Sequence, residues 1–165
     1  MIVMDAKGWE LEVDHEQSIS GLAMMRDALL APLVDADLEQ QLGGSSLTLG
    51  ELIDDCAQMQ GSYVEAFRSL AQTWPPSRPL HRHDATVEAV RDRFATLDHE
   101  LQLALAGLAG EDWQAVVARP DGTRRTRRAQ LEIYAQFMLI FIAKASVYAR
   151  AAGRGLPRSV ATFVG

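Results

Sequence analysis

One segment limits the architectures open to this chain more than any other. From about Thr126 to Ala152, apolar residues recur at spacings of three and four on two faces at once. One face carries Leu131, Tyr134, Met138, Phe141, Ala145 and Tyr148; the other carries Ile133, Phe137, Ile140 and Val147. That spacing is helical, and a helix apolar on nearly every side belongs inside a bundle, touching more than one neighbour. Gly153 follows as a C-terminal cap. The densest apolar run, Phe137 to Ala143, is flanked by Glu132, Gln136 and Lys144. It is too short and too interrupted to span a bilayer, so no membrane is expected as a partner.

A central helix needs others to cover it, and three more amphipathic segments precede it. The expected helices cover roughly 14–33, 48–73, 84–109 and 126–152. The first opens at Asp14, with Gln17 as capping partner, and carries Ile19, Leu22, Met25, Leu29 and Leu33 on one face before Pro32 bends or ends it. The second has the strongest start signal, a Thr48–Glu51 capping box. Its stripe runs Leu49, Leu52, Cys56, Met59, Tyr63, Ala66 and Leu70, up to Pro75-Pro76. The third, from about Asp84, carries Val87, Val90, Phe94, Leu97, Leu101, Ala104 and Leu108, with Gly107 and Gly110 marking its end. The link holding Pro75, Pro76 and Pro79 is expected to be stiff and extended. Pro120-Asp-Gly122 marks a turn, and no strand signal of useful length is present, with Val3 to Val13 ambiguous. The fold class is therefore all-α, a four-helix bundle forming a single domain.

Composition agrees with such a bundle and narrows the partners. The chain has 165 residues, 48% hydrophobic and 23% charged, enough for a sizeable core. A formal charge of −6 argues against general nucleic-acid binding, which needs a basic surface. Arg119, Arg124, Arg125, Arg127 and Arg128 crowd together with only Asp121 among them. They are expected to form a solvated loop and first helical turn rather than an anion site. A lone cysteine, Cys56, and an N-terminus without a signal-peptide pattern fit a reducing cytoplasm. Cys56 lies on an apolar stripe and is expected to be a buried, inert thiol. His81 and His83 stand two apart in a loop and could at most pick up adventitious metal. His99 is expected to be solvated, and His15 belongs to a first helical turn.

Several stretches carry a family resemblance. Leu47-Thr-Leu-Gly-Glu-Leu-Ile-Asp-Asp55 and Leu105-Ala-Gly-Leu-Ala-Gly-Glu-Asp-Trp113 come first, then Pro120-Asp-Gly-Thr123. The closing Tyr148-Ala-Arg-Ala-Ala-Gly153, with Pro157 after it, completes the order. Together they resemble the DinB-like four-helix bundles. The resemblance implies that fold and a homodimer. Such proteins usually hold a divalent metal on one histidine of the second helix and two of the fourth. The matching positions here are Asp55 (Asp54 if the register slips by one), Phe137 and Phe141. Phenyl rings ligate no metal, so the family's thiol-dependent transferase chemistry is not implied, and no metal or other cofactor is expected.

In its place the sequence points to a non-catalytic protein that binds a small apolar or amphipathic ligand, or a partner subunit. The candidate cavity residues are Asp55, Met59, Tyr134, Phe137 and Phe141, with Asp55 as the polar orienting group. The alternative is a diverged metal-dependent thiol transferase.

Overall fold

A computed structural model describes residues 15–74 and 86–165, with side chains from Ile19 onward. The expected cap at Asp14, the residues Pro75, Pro76, Pro79, His81, His83 and Asp84, and Trp9 lie outside the described residues.

Five α-helices make up most of the structure: α1 (His15–Leu30), α2 (Leu49–Ser69), α3 (Val87–Ala106), α4 (Arg127–Ala151) and the short α5 (Arg158–Val164). Two 3-10 turns, Asp35–Glu39 and Gly110–Gln114, and a hairpin of β1 (Val116–Ala118) and β2 (Arg124–Thr126) complete it. The four expected helices are present; α5 and the hairpin were not expected. α2 packs against α3 and α4, and α1 packs against α4 and α3.

Local chemistry explains the boundaries. Thr48 Oγ1 accepts from the Glu51 amide at 3.1 Å, and Glu51 Oε2 accepts from the Thr48 amide at 2.8 Å. Two donors that the first turn leaves open are thereby satisfied. Thr86 and Thr126 each accept from the amide three residues on, opening α3 and α4. The third helix therefore starts at Val87, with Thr86 as its cap. α1 stops at Leu30, before Pro32, and Arg91 of α3 donates to the freed carbonyls of Leu30 and Ala31 at 2.9 and 2.8 Å.

α2 ends earlier than its downstream prolines suggest. Leu70 turns left-handed at φ +60°, and the chain then runs beside β1. The Ala118 amide donates to Leu70 O, and the Gln72 amide donates to Ala118 O. The hairpin forms where Pro120-Asp-Gly122 closes a tight turn: Gly122 adopts φ +78°, and Asp121 Oδ1 accepts from both the Thr123 amide and hydroxyl. Strands of three residues leave almost no alternation to detect, which is why the sequence shows only the turn.

The core runs the length of the bundle. Every residue of the first α4 face is buried, from Leu131 to Tyr148, while Ile140 and Val147 of the second face are exposed. By length and composition alone α4 is apolar enough to cross a membrane; its buried inner face accounts for that apolarity.

Candidate functional site

The five sequence-derived site residues differ in burial and in the neighbours they meet. On α2, Ile53, Cys56, Ala57 and Gln60 are buried and set the inward direction. Asp55 falls outside that arc and is exposed. Its expected role as a polar group inside a cavity is therefore corrected: helical geometry turns its carboxylate to solvent. Asp54 is the partly buried one of the two. It accepts from Gln58 Nε2 at 2.6 Å and forms an ion pair with Arg93 of α3.

The aromatic residues divide between two neighbours. Tyr134 meets Tyr63 edge-on, with centroids 5.2 Å apart, and half-buried Phe137 stands 6.1 Å from the same Tyr63 ring. Phe141, one turn on, lies 6.4 Å from Phe94 of α3 instead. The two rings thus meet different aromatic neighbours, Tyr63 on α2 and Phe94 on α3. Met59, half-buried, sits one turn before Tyr63 on α2. Burial pushes the Tyr134 phenol and the Cys56 thiol well above their ordinary ranges. Cys56 Sγ lies 3.8 Å from Met138 Sδ, so its expected inertness fits its surroundings.

At the centre of the bundle stands a residue that sequence reasoning passed over. Arg26 of α1 is wholly buried, and its five N–H groups all find acceptors. Nη1 donates to Asp98 Oδ1 at 3.0 Å and Gln60 Oε1 at 3.4 Å; Nη2 donates to Asp98 Oδ2 and Asp27 Oδ1, both at 2.6 Å; Nε donates to Asp27 Oδ1 at 2.9 Å. Gln60 Nε2 closes the ring on Asp98 Oδ1 at 2.8 Å. The guanidinium carbon lies 4.2 Å over the Phe94 ring. Burial works to lower the Arg26 pKa, but the hydrogen bonds and charge of Asp98, then those of Asp27, outweigh it and the net shift is upward. A cation with every donor engaged is neither an acid nor a receptor. It braces α1, α2 and α3 together.

The signal for this cluster was positional. Arg26 follows Leu22 by four and precedes Leu29 by three; Gln60 and Asp98 occupy equivalent slots between Cys56 and Tyr63 and between Phe94 and Leu101. Three polar residues in core positions of three helices form a pattern that the individual stripes conceal.

A second polar group lies at the hairpin end. Gln130 Nε2 donates to Gln72 Oε1 at 2.8 Å, and Gln72 Nε2 donates to Ser62 Oγ at 3.2 Å. Burial raises the Tyr63 pKa, against the opposing effects of the Arg119 charge and a hydrogen bond with Gln72. Arg127 donates to Phe67 O at 2.9 Å, covering a terminal carbonyl of α2. Three buried atoms here have no partner among the described residues: Gln130 Oε1, Arg119 Nε and Arg127 Nε. Two of the five clustered arginines therefore turn partly inward, where a wholly solvated run was expected.

Among the described residues, no three His, Cys, Asp or Glu side chains come together. A catalytic first-row metal normally takes three protein ligands. Two packed phenyl rings and a carboxylate in solvent do not fit that requirement.

The fold matches solved structures of DinB-like proteins. One, from Bacillus cereus, superposes with a TM-score of 0.74 at 14% identity, covering 87% of this chain and 93% of that one. Another, from Bacillus subtilis, gives 0.65 at 17% identity, covering 87% and 97%. No family profile matches the sequence, and no curated protein matches it significantly.

Proposed function

The chain has a DinB-like fold, and from that premise we propose that it is a metal-free member of this architecture that binds a small apolar or amphipathic ligand and catalyses no reaction. One observation carries the reading. Between α2 and α4, half-buried Phe137 and Met59 flank the buried pair Tyr63 and Tyr134, leaving aromatic surface within reach of solvent beside a core that is already braced. An apolar ligand gains by covering such rings. The internal cation supports the loss of a metal centre, because Arg26 with Asp98 and Asp27 provides charge and cross-linking of helices without an ion.

The reading extends to a cytoplasmic homodimer. Ile140 (54% exposed) and Val147 (52%) lie seven residues apart on the outer face of α4 and offer apolar area to a second copy.

The test combines metal analysis with ligand titration. Protein purified in chelator is expected to carry no stoichiometric metal. Phenylpropanol is expected to raise the melting temperature of the full chain, and Phe137→Gln to remove that rise. A stoichiometric ion would overturn the proposal and favour a diverged thiol transferase; an unchanged response in Phe137→Gln would remove the site from α2 and α4.

A further inference from the structure

The hairpin leaves one edge of its sheet open. Hydrogen-bonded pairs alternate along an antiparallel ladder, and here the Arg119 amide donates to Thr123 O and the Arg127 amide to Ala115 O. Val117 and Arg125 therefore bond across the ladder, while Arg124 and Thr126 turn their amides away from β1. Neither amide meets an acceptor among the described residues. The opposite edge is already taken, since Ala118 is bonded to Leu70 and Gln72. An open edge is a template for one more strand. Arg124 and Arg125 on β2, and Arg128 just beyond it, are exposed and form no ion pair among the described residues. Such charges discourage a neutral or basic strand and favour an acidic one.

The chain carries a segment of that kind. Trp9-Glu-Leu-Glu-Val-Asp14 alternates apolar and acidic residues at period two, with no basic residue among them. These residues lie outside the described ones, but the end of the bundle at which they join is fixed. Arg91 reaches the Leu30 and Ala31 carbonyls and Asp98 holds Arg26, so α1 and α3 are antiparallel. Arg93 with Asp54 and Arg68 with Glu100 set α3 parallel to α2. Arg127 with Phe67 and Tyr148 with Leu47 set α4 antiparallel to α2. The starts of α1 and α4 therefore share the hairpin end, and α1 packs on α4. Six extended residues reach about 20 Å, and packed helices lie about 10 Å apart, so the segment can reach β2 with α1 intact.

We propose that residues 9–14 add to the outer edge of β2 as a further strand, with Glu10 and Glu12 beside Arg124. Trp9, Leu11 and Val13 then take the face on which Val117 is buried. The arginine cluster gains its counter-charge from the same chain, and the edge is closed to other chains. The inference is independent of the binding role proposed above.

Hydrogen exchange of the full chain reads the Arg124 and Thr126 amides directly. Both are expected to exchange at least about tenfold more slowly than in Leu11→Pro, which removes a donor from the middle of the segment. Glu10→Lys with Glu12→Lys, which keeps every backbone donor, is expected to speed them similarly, and adding Arg124→Glu to restore part of the protection. Carbodiimide treatment of Arg124→Lys is expected to join Glu10 or Glu12 to the new amine within one chain, as read by mass spectrometry. Equal exchange in the parent and in Leu11→Pro would overturn the proposal. Cross-links found only between chains would overturn it too, and would assign the edge to a second copy.

Discussion

Arg26 is a residue whose removal and whose replacement have different consequences. Its guanidinium is paired bidentately with Asp98, a carboxylate 22% exposed. Arg26→Met keeps the volume but leaves Asp98 and Gln60 without their cation, and is expected to cost about 3 kcal/mol in urea denaturation. Adding Asp98→Leu should recover part of that loss, because the stranded charge is removed as well. A second charge pair answers to pH. Arg154 donates to Asp37 at 2.8 and 3.1 Å, and this contact, with the Val34 amide, holds the Asp37 carboxyl below its ordinary range. A depressed carboxylate contributes stability that is complete above the ordinary aspartate pKa of about 3.9 and disappears as pH falls through the lower folded value. Asp37→Asn should therefore lower the melting temperature at neutral pH and make no difference at the acid end of a melting-temperature profile. At this scale the sequence was least legible. Arginine and aspartate are expected at the surface, and only helical position distinguishes Arg26 or Asp98 from their solvated neighbours. Asp55 erred in the opposite direction, assigned inward by family register when its own helix turns it out.

Elements were read more reliably than single side chains because their signals add up over many residues. The capping box at Thr48 and Glu51 fixes the start of α2 in both sequence and structure. Thr48→Ala should cost about 1 kcal/mol of unfolding free energy, measured by chemical denaturation, since the Glu51 amide loses its acceptor. Helix ends were less legible, as the Leu70 case illustrates. Ser69 Oγ accepts from the Ala71 amide at the end of α2, and the rest of the stop comes from β1, far along the chain, and from Arg127, which takes up the Phe67 carbonyl. The four long helices were visible because each carries its own apolar period. The hairpin was not, having strands too short to show one. α5 lacks a side-chain cap to announce it and buries only Val160.

For the molecule as a whole, the bundle was legible and its use only partly so. Four amphipathic segments around one doubly apolar helix permit few arrangements. What lies between the helices depends on rotations that shift a side chain from core to surface, as Phe137 and Phe141 illustrate by reaching different partners. The outer face of α4 raises a question of assembly. Ile140 and Val147 share it, and α1, which packs on α4, exposes Met24 at 72%. If the proposed dimer forms, light scattering is expected to give twice the chain mass for the parent and the single-chain mass for the double variant Ile140→Lys and Val147→Lys, with the helical circular dichroism unchanged. A single-chain mass for the parent would overturn the proposed dimer, and a dimer mass kept by the variant would move its interface to another face.

The backbone link from Leu70 and Gln72 to Ala118 carries a dynamic consequence. Two amides outside any helix, those of Gln72 and Ala118, are held by carbonyls across a junction that also anchors the entry to α4. Deuterium should replace them as slowly as it replaces hydrogens deep in the helices, and both should open only together with the packing of α2 on α4.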